Sequence, residues 1–464
     1  MVDNIILILF LSTLGISFAA VILRHWDWMP VMLLPILWYI PRQTASGGLL
    51  QNYLILRWTT IFIVPLIIFI QFVKVTGKSQ SLKLSNIALP LGIFIVFSVC
   101  SAILNNVALL ELLGSLILYI RYPLLFIAFI NMDIPRNVVK IFSRLFLFLV
   151  IIQVPECIYR YAALGITMDH ISWTMGPWGH FDLGIYMVYA VALITAFGLV
   201  KGFNWLHIAV FAFLFILALL GEIKAFILSA PVVSVFTIYA VLRQKQRPNE
   251  KQVSKRLLAV LFPVFFLVFS YCTFAVWGKI HYGRSNTLIP FLQNLPVILR
   301  HPLSFLQGDE IAYSAARISG GAVVWSYLKK DWGMLMFGLG PGSALAGNFL
   351  ARPGSLFNIS APALNQLGAI LAEVGIIGWS LYFWMLLRLL HTIVRANISI
   401  EDTNLRILSA SLVGMWFFYA VLGPFYDLVW RHDASSYIFY FFAAVVYNHL
   451  QNKSRLLAVQ NKSG

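Results

Sequence analysis

LGIYMVYAVALITAFGLV, residues 183–200, carries no charged side chain over eighteen positions. Wound as an α-helix it reaches about 27 Å, close to the roughly 30 Å hydrocarbon thickness of a bilayer. It has no polar stripe to turn towards water. A helix that is apolar all round is buried in protein or in lipid. Working outward, the same kind of run recurs at 5–23, 30–40 (short), 54–72, 87–104, 108–130 and 141–156. It recurs again at 206–220, 225–242, 257–277, 366–390, 407–422 and 436–447. The length rule turns these into about 12 or 13 membrane spans. The fold expected is all-α, a polytopic integral membrane helix bundle.

Composition agrees. The chain of 464 residues is 60% hydrophobic and 11% charged, and its mean hydropathy is +0.85. An ordinary soluble domain is about half apolar and a quarter charged. The net charge of +16 suggests nucleic acid until its placement is read. The basic residues sit between the apolar runs: Lys74, Lys78 and Lys83; Arg136 and Lys140; six from Arg243 to Arg256; Lys453 and Arg455. That is the pattern of loops held on the cytoplasmic side, with anionic lipid as their partner. No basic stripe with interleaved aromatics forms a nucleic-acid-binding surface. Cys100, Cys157 and Cys272 have neither metal-ligand nor redox spacing. Asp3 stands where a signal peptide would be basic, so the first run is read as a span.

With the 244–255 segment inside, alternation puts 160–181, Glu222, the long segment 278–364 and 427–433 outside. Four regions follow: residues 1–277, the N-terminal part of the bundle; 278–365, a periplasmic loop acting as lid; 366–449, the C-terminal helices; and 450–464, a cytoplasmic tail. The loop is not filler. Its apolar residues, among them Phe291, Leu295, Ile298 and the run 322–328, recur at helical spacing and predict short helices packed on the outer face of the bundle.

The chemistry-bearing stretch is 317–378. It holds Arg317, a glycine turn at Gly338, Gly340 and Gly342, Asn365 at the mouth of a span, and Glu373 beside Gly375 within it. The glycine turn lacks the strand and βαβ unit of a dinucleotide site. It is either a tight turn packed on the bundle or a row of backbone N–H groups facing phosphate. Ionisable groups inside spans are costly and are there for a reason. Glu111 and Arg121 share one span, but ten residues separate them, about 15 Å along the axis. Arg121 is either a buried ion pair or one wall of an anion site. Glu373 either ties two helices or contacts substrate.

Arg317 and Trp325, Phe337–Gly342, then Asn365, Glu373, Gly375, Ile376, Ile377 and Gly378 give the pattern Arg-x(7)-Trp, Phe-Gly-Leu-Gly-Pro-Gly, Asn-x(7)-Glu-x-Gly-Ile-Ile-Gly. This resembles the O-antigen ligase and O-antigen polymerase superfamily. The earlier Gly176-Pro-Trp-Gly-His180-Phe is similar to a further short glycine motif of that family. The resemblance implies a metal-independent glycosyltransferase of the bacterial inner membrane, active at the periplasmic face. Its donor would be an undecaprenyl-diphosphate-linked oligosaccharide, its acceptor another glycan, and it would need no cofactor. Flippase or chain-length-regulating proteins are the partners implied. Two departures stand out. Leu364 occupies the place where ligases carry His, which moves the reading from lipid A core ligase towards polymerase. Lys224 stands where many members carry Arg.

On this reading Arg317 and Lys224 stabilise the departing diphosphate, and Glu310 or His432 takes the acceptor proton. Arg160, His180, Gly338, Gly340, Gly342, Asn365, Glu373 and Arg431 would bind substrate. The reading from another class is a non-catalytic flippase or transporter, a class marked by internal repeats and helices broken at the membrane midplane.

Overall fold

The computed structural model describes residues 25–43, 54–77, 82–164, 180–220, 223–244, 324–343, 365–426 and 429–463, with isolated positions 15, 268, 272 and 321. Every regular element among them is helical. The elements are α1 (Met29–Gln43), α2 (Leu54–Gly77), α3 (Ala88–Leu104), α4 (Leu109–Ile130), α5 (Arg136–Ile151), α6 (Gln153–Leu164), α7 (His180–Lys201), α8 (Trp205–Leu220) and α9 (Lys224–Arg243). After the long segment come α10 (Trp332–Phe337), α11 (Gln366–Ser399), α12 (Thr403–Phe417), α13 (Gly423–Tyr426) and α14 (Asp433–Ser463).

Among the described residues six helices are long and apolar enough to cross a membrane: Leu109–Ile130, Arg136–Tyr159, Asp182–Lys201, Phe226–Arg243, Gln366–Ser399 and Thr403–Phe425. Phe62–Gly77, Ala88–Leu104 and Trp205–Leu220 are shorter apolar helices. This is the build of a multi-pass membrane protein. The expected spans at 5–23 and 257–277 fall outside the described residues except for the isolated positions 15, 268 and 272. The short run at 30–40 does form a helix, and it is a core element: Leu33, Leu34, Leu37 and Trp38 are buried, and Trp38 stacks on Tyr186 of α7 at 4.1 Å.

The quoted run 183–200 is the centre of the bundle. From Asp182 to Ala196 α7 is buried on every face, and it packs against both α9 and α12. Small residues let these helices close up, as they do in membranes generally. A Cβ on Gly184 would lie 2.6 Å from Ile223 Cγ2, and one on Gly414 of α12 would lie 2.8 Å from the Val233 carbonyl of α9. A second layer pairs α4 with α14, and α14 also packs on α1. Tyr437 Oη of α14 donates to the Pro30 carbonyl at 2.7 Å, and Asn448 Nδ2 donates to the Phe129 carbonyl at 3.2 Å.

The two ends of the bundle differ. One gathers the turns at 131–135 and 202–204 with residues 400–402. There Lys83 N donates to Asn131 Oδ1 at 2.8 Å, and Lys201 Nζ donates to Asn404 Oδ1 at 3.0 Å. Below it a buried amide network ties three helices: Gln244 Nε2 donates to Asn397 Oδ1 and to the Arg406 carbonyl, both at 2.7 Å, and Asn397 Nδ2 donates to the Ala240 carbonyl at 2.8 Å. The other end gathers residues 105–108, Ile223, the 338–343 turn, Asn365 and residues 429–433. Gly338, Gly340, Gly342, Asn365 and His432, five of the candidate site residues, lie at this end.

Candidate functional site

The 324–343 segment packs on the first turns of α11, burying Val324, Leu328, Leu335 and Leu339 against Ala369, Leu371 and Ala372. Asp331 caps α10, its Oδ1 accepting from Met334 N at 2.9 Å. The glycine turn follows, and here the tight-turn reading has direct support. Gly338 has φ 74° and ψ −167°, and Gly375, inside α11, has φ 64° and ψ −168°. Both lie in a region that only glycine occupies. They face each other: a Cβ on Gly338 would lie 2.6 Å from Gly375 N, and one on Gly375 would lie 2.6 Å from Gly338 N. Gly375 breaks α11, and Leu339 N donates to the Ala372 carbonyl at 2.8 Å across the break.

Three of the turn's N–H groups are therefore spent inside the protein. Gly338 N reaches the Met334 carbonyl at 2.8 Å, Leu339 N reaches Ala372, and Ser343 N reaches the Gly340 carbonyl at 3.2 Å. Its carbonyls are bound as well: Ser101 Oγ donates to Phe337 O at 2.7 Å and Asn105 Nδ2 to Gly338 O at 3.3 Å. At Gly342 a Cβ would lie 3.1 Å from the Glu111 carbonyl. The turn is wedged between the α3–α4 connection and α11.

Asn365 is the N-cap of α11. Its Oδ1 accepts from Gly368 N at 2.8 Å, and its Nδ2 donates to the Phe425 carbonyl at 3.4 Å. A capping oxygen satisfies an N–H that the first turn of a helix leaves unpaired. Glu373 is fully buried, and Ser115 Oγ of α4 donates to its Oε2 at 2.8 Å. The carboxylate thus ties α4 to α11.

Further along α4, recessed into the bundle from this end, lies a buried charged cluster. Arg121, 3% exposed, forms an ion pair with Asp433, the first residue of α14. Tyr122 Oη donates to the same carboxylate oxygen at 2.8 Å. Arg121 lies about 18 Å along the axis from the start of α4, a depth at which an ionisable side chain demands a partner. Next to Asp433, His432 Nδ1 lies 2.5 Å from Asp182 Oδ1 of α7, with side chains 13% and 6% exposed. Asp182 and Asp433 both sit in the first turn of their helices, where the helix dipole favours a carboxylate. With Nδ1–H committed to Asp182, a neutral imidazole carries its lone pair on Nε2.

The sequence-predicted residues therefore fall into groups. Gly338, Gly340, Gly342, Asn365 and Glu373 come together as one packed unit, joined through α4 to the His432 pair. By backbone position, Arg160 lies in α6, His180 opens α7, Lys224 opens α9 and Arg431 closes a 3₁₀ turn over Val429–Arg431. Arg317 and Glu310 lie outside the described residues. The sequence motifs do not single out Asp182, Asp433 or Tyr122 as site residues. The signal that could have found them is Arg121, which needed an acid from the same end of the bundle. No protein-family model matches the chain, and no curated protein does either.

Proposed function

We propose that this chain is a membrane glycosyltransferase that polymerises glycan units carried on a lipid diphosphate, working at the bundle end that holds His432. The observation that carries the reading is the pairing of His432 with Asp182 directly beside the Arg121–Asp433 ion pair. The pair supplies an oriented base at the same end as the motifs that resemble the O-antigen polymerases and ligases. In the reaction the acceptor hydroxyl oxygen bonds to the anomeric carbon while the bond to the diphosphate oxygen breaks, and the diphosphate leaves with the electron pair. His432 Nε2 takes the hydroxyl proton, and Asp182 holds the imidazolium that results. Arg317 and Lys224 would face the charge that grows on the diphosphate. On this reading the end faces the periplasm of a bacterial inner membrane, which the positive-inside pattern of the basic loops supports.

A break inside a membrane helix is also a mark of transporters, and α11 has one at Gly375. In transporters the freed backbone lines a cavity. Here the Leu339 N–H donates to the Ala372 carbonyl that the break frees, so that carbonyl lines no cavity, which favours the enzyme. Transfer to a lipid A core is the alternative acceptor, and Leu364 weighs against it.

The test is purified protein given lipid-diphosphate-linked glycan, without nucleotide sugar and with chelator. Longer lipid-linked chains are expected. Arg317→Ala should abolish them and Arg317→Lys should leave a small fraction, because losing a positioned donor to developing charge costs on the order of 100-fold or more. A strict need for a nucleotide sugar or a divalent ion overturns the mechanism.

A further inference from the structure

At the end of the bundle opposite His432 a cavity of about 1350 Å³ opens between α5, α7, α8, α12 and α14. Its most ordered wall is one face of α5. Arg136, Lys140, Arg144, Leu147 and Ile151 all line it, and their spacings of four, four, three and four residues put them on a single stripe. The opposite stripe, Val138, Phe142, Phe146 and Val150, is completely buried in the core. The rotation of α5 is therefore fixed, and its cationic stripe has to face the cavity.

The stripe is graded. Its three cations cover about 12 Å of the helix axis, and the apolar pair carries it deeper by roughly another 10 Å. Leu193 and Phe197 of α7 and Val210 of α8 continue the apolar wall, and Lys201 joins the cations at the rim. The acids lining the cavity are Asp133, Glu401 and Asp402. Asp402 is occupied: its Oδ1 caps α12 by accepting from Asn404 N and Leu405 N, both at 3.0 Å, and its Oδ2 lies 3.5 Å from Arg136. Among the described residues Lys140 and Arg144 form no ion pair. Unpaired cations on a span are a functional feature by default.

We propose that this cavity binds one anionic diacyl phospholipid. Its phosphate lies among Arg136, Lys140, Arg144 and Lys201, and its acyl chains run along Leu147, Ile151, Phe197 and Val210. A free phosphate would leave the apolar walls uncovered. A zwitterionic lipid would bring its own ammonium to a rim whose Lys140 and Arg144 are unpaired. Basic pockets between helices on the cytoplasmic side are suited to anionic head groups. The site does not depend on the glycosyltransferase reading, because it is at the other end and involves none of those residues.

The test uses the full-length protein in nanodiscs holding equal phosphatidylglycerol and phosphatidylethanolamine, released and weighed by native mass spectrometry. Wild type should retain phosphatidylglycerol in clear preference. The Lys140→Gln/Arg144→Gln protein should lose on the order of fivefold in that preference for each cation removed, since a cation near an anionic surface contributes about 1 kcal/mol. Arg395→Gln removes a cation from the same end but outside the cavity and should change nothing. Val210→Trp, which fills the cavity without changing charge, should lower occupancy of both lipids and separates a two-part site from diffuse surface attraction. The inference is overturned if wild type holds the two lipids equally, if Lys140→Gln/Arg144→Gln keeps its preference, or if Val210→Trp leaves the occupancy of both lipids unchanged.

Discussion

Replacing Gly375 by Ala tests the interlock between the glycine turn and α11. The backbone there, at φ 64° and ψ −168°, is closed to an alanine at a cost of about 1–3 kcal/mol. The new methyl would also meet the Met336 carbonyl and lie 2.6 Å from Gly338 N. Both are backbone atoms, so neither can rotate away, and overpacking of this kind costs about 1–3 kcal/mol more. The turn could instead retreat, but the Leu339 N–H bond to Ala372 would then be lost, leaving a buried carbonyl unpaired at about 1–3 kcal/mol. Either route destabilises by about 2–6 kcal/mol. At about 1–2 °C per kcal/mol, extended to a chain of this size, the melting midpoint of the detergent-purified protein should fall by roughly 2–12 °C. The control is Gly92→Ala in α3, where an added Cβ meets nothing within 4 Å and helix propensity favours alanine by about 1 kcal/mol. If Gly375→Ala melts with wild type and with Gly92→Ala, the interlock is not what holds this segment down.

Three further outcomes are expected. Asp433→Asn should destabilise by about 3–5 kcal/mol, because it strands Arg121 inside the bundle, whereas Arg121→Met/Asp433→Leu should recover much of that loss; equal midpoints for the single and double variants would contradict a buried pair. His432→Ala and Asp182→Asn should each lower glycan elongation with membrane protein level unchanged, and Asp182→Asn should fall short of His432→Ala because it disturbs the tautomer rather than removing the base; full-length glycan from His432→Ala would remove it from the chemistry. A reporter fused after Lys251 should read cytoplasm and one fused near Gly320 should read periplasm, and inverted signals would put the candidate site on the wrong face.

The spans were legible because apolar length is a direct physical signal. The run at 183–200 reads as a span from composition alone, and α7 is the most deeply buried helix. Boundaries were less legible. The run at 366–390 continues to Ser399, since Arg388 and Arg395 can lie on a helix that leaves the apolar zone. Partners could not be read at all. Nothing local in the sequence says that Arg121 meets Asp433, 312 positions on, or that Gly338 meets Gly375 through backbone. What sequence could state was a requirement: a charge in a span needs an opposite charge, and a run of glycines needs a close neighbour. The reading of Asn365 shows the converse problem, because a motif residue beside a helix start has an ordinary use as a cap, and the motif does not distinguish that use from catalysis.

The contacts of α14 bear on how the protein is made. Tyr437 bonds to Pro30 across 407 positions, and Asn448 bonds to Phe129 across 319. At bacterial and eukaryotic synthesis rates of roughly 5–20 residues per second, α1 and α4 wait on the order of a minute for the helix that completes their packing. During that interval Arg121 sits in the membrane before Asp433 exists. Nascent chains halted before α14 should therefore be conspicuous to membrane quality control, with Arg121 as the exposed degradation signal, and a tag that slows release of the last helix should lower the yield of assembled protein without altering a single contact in it.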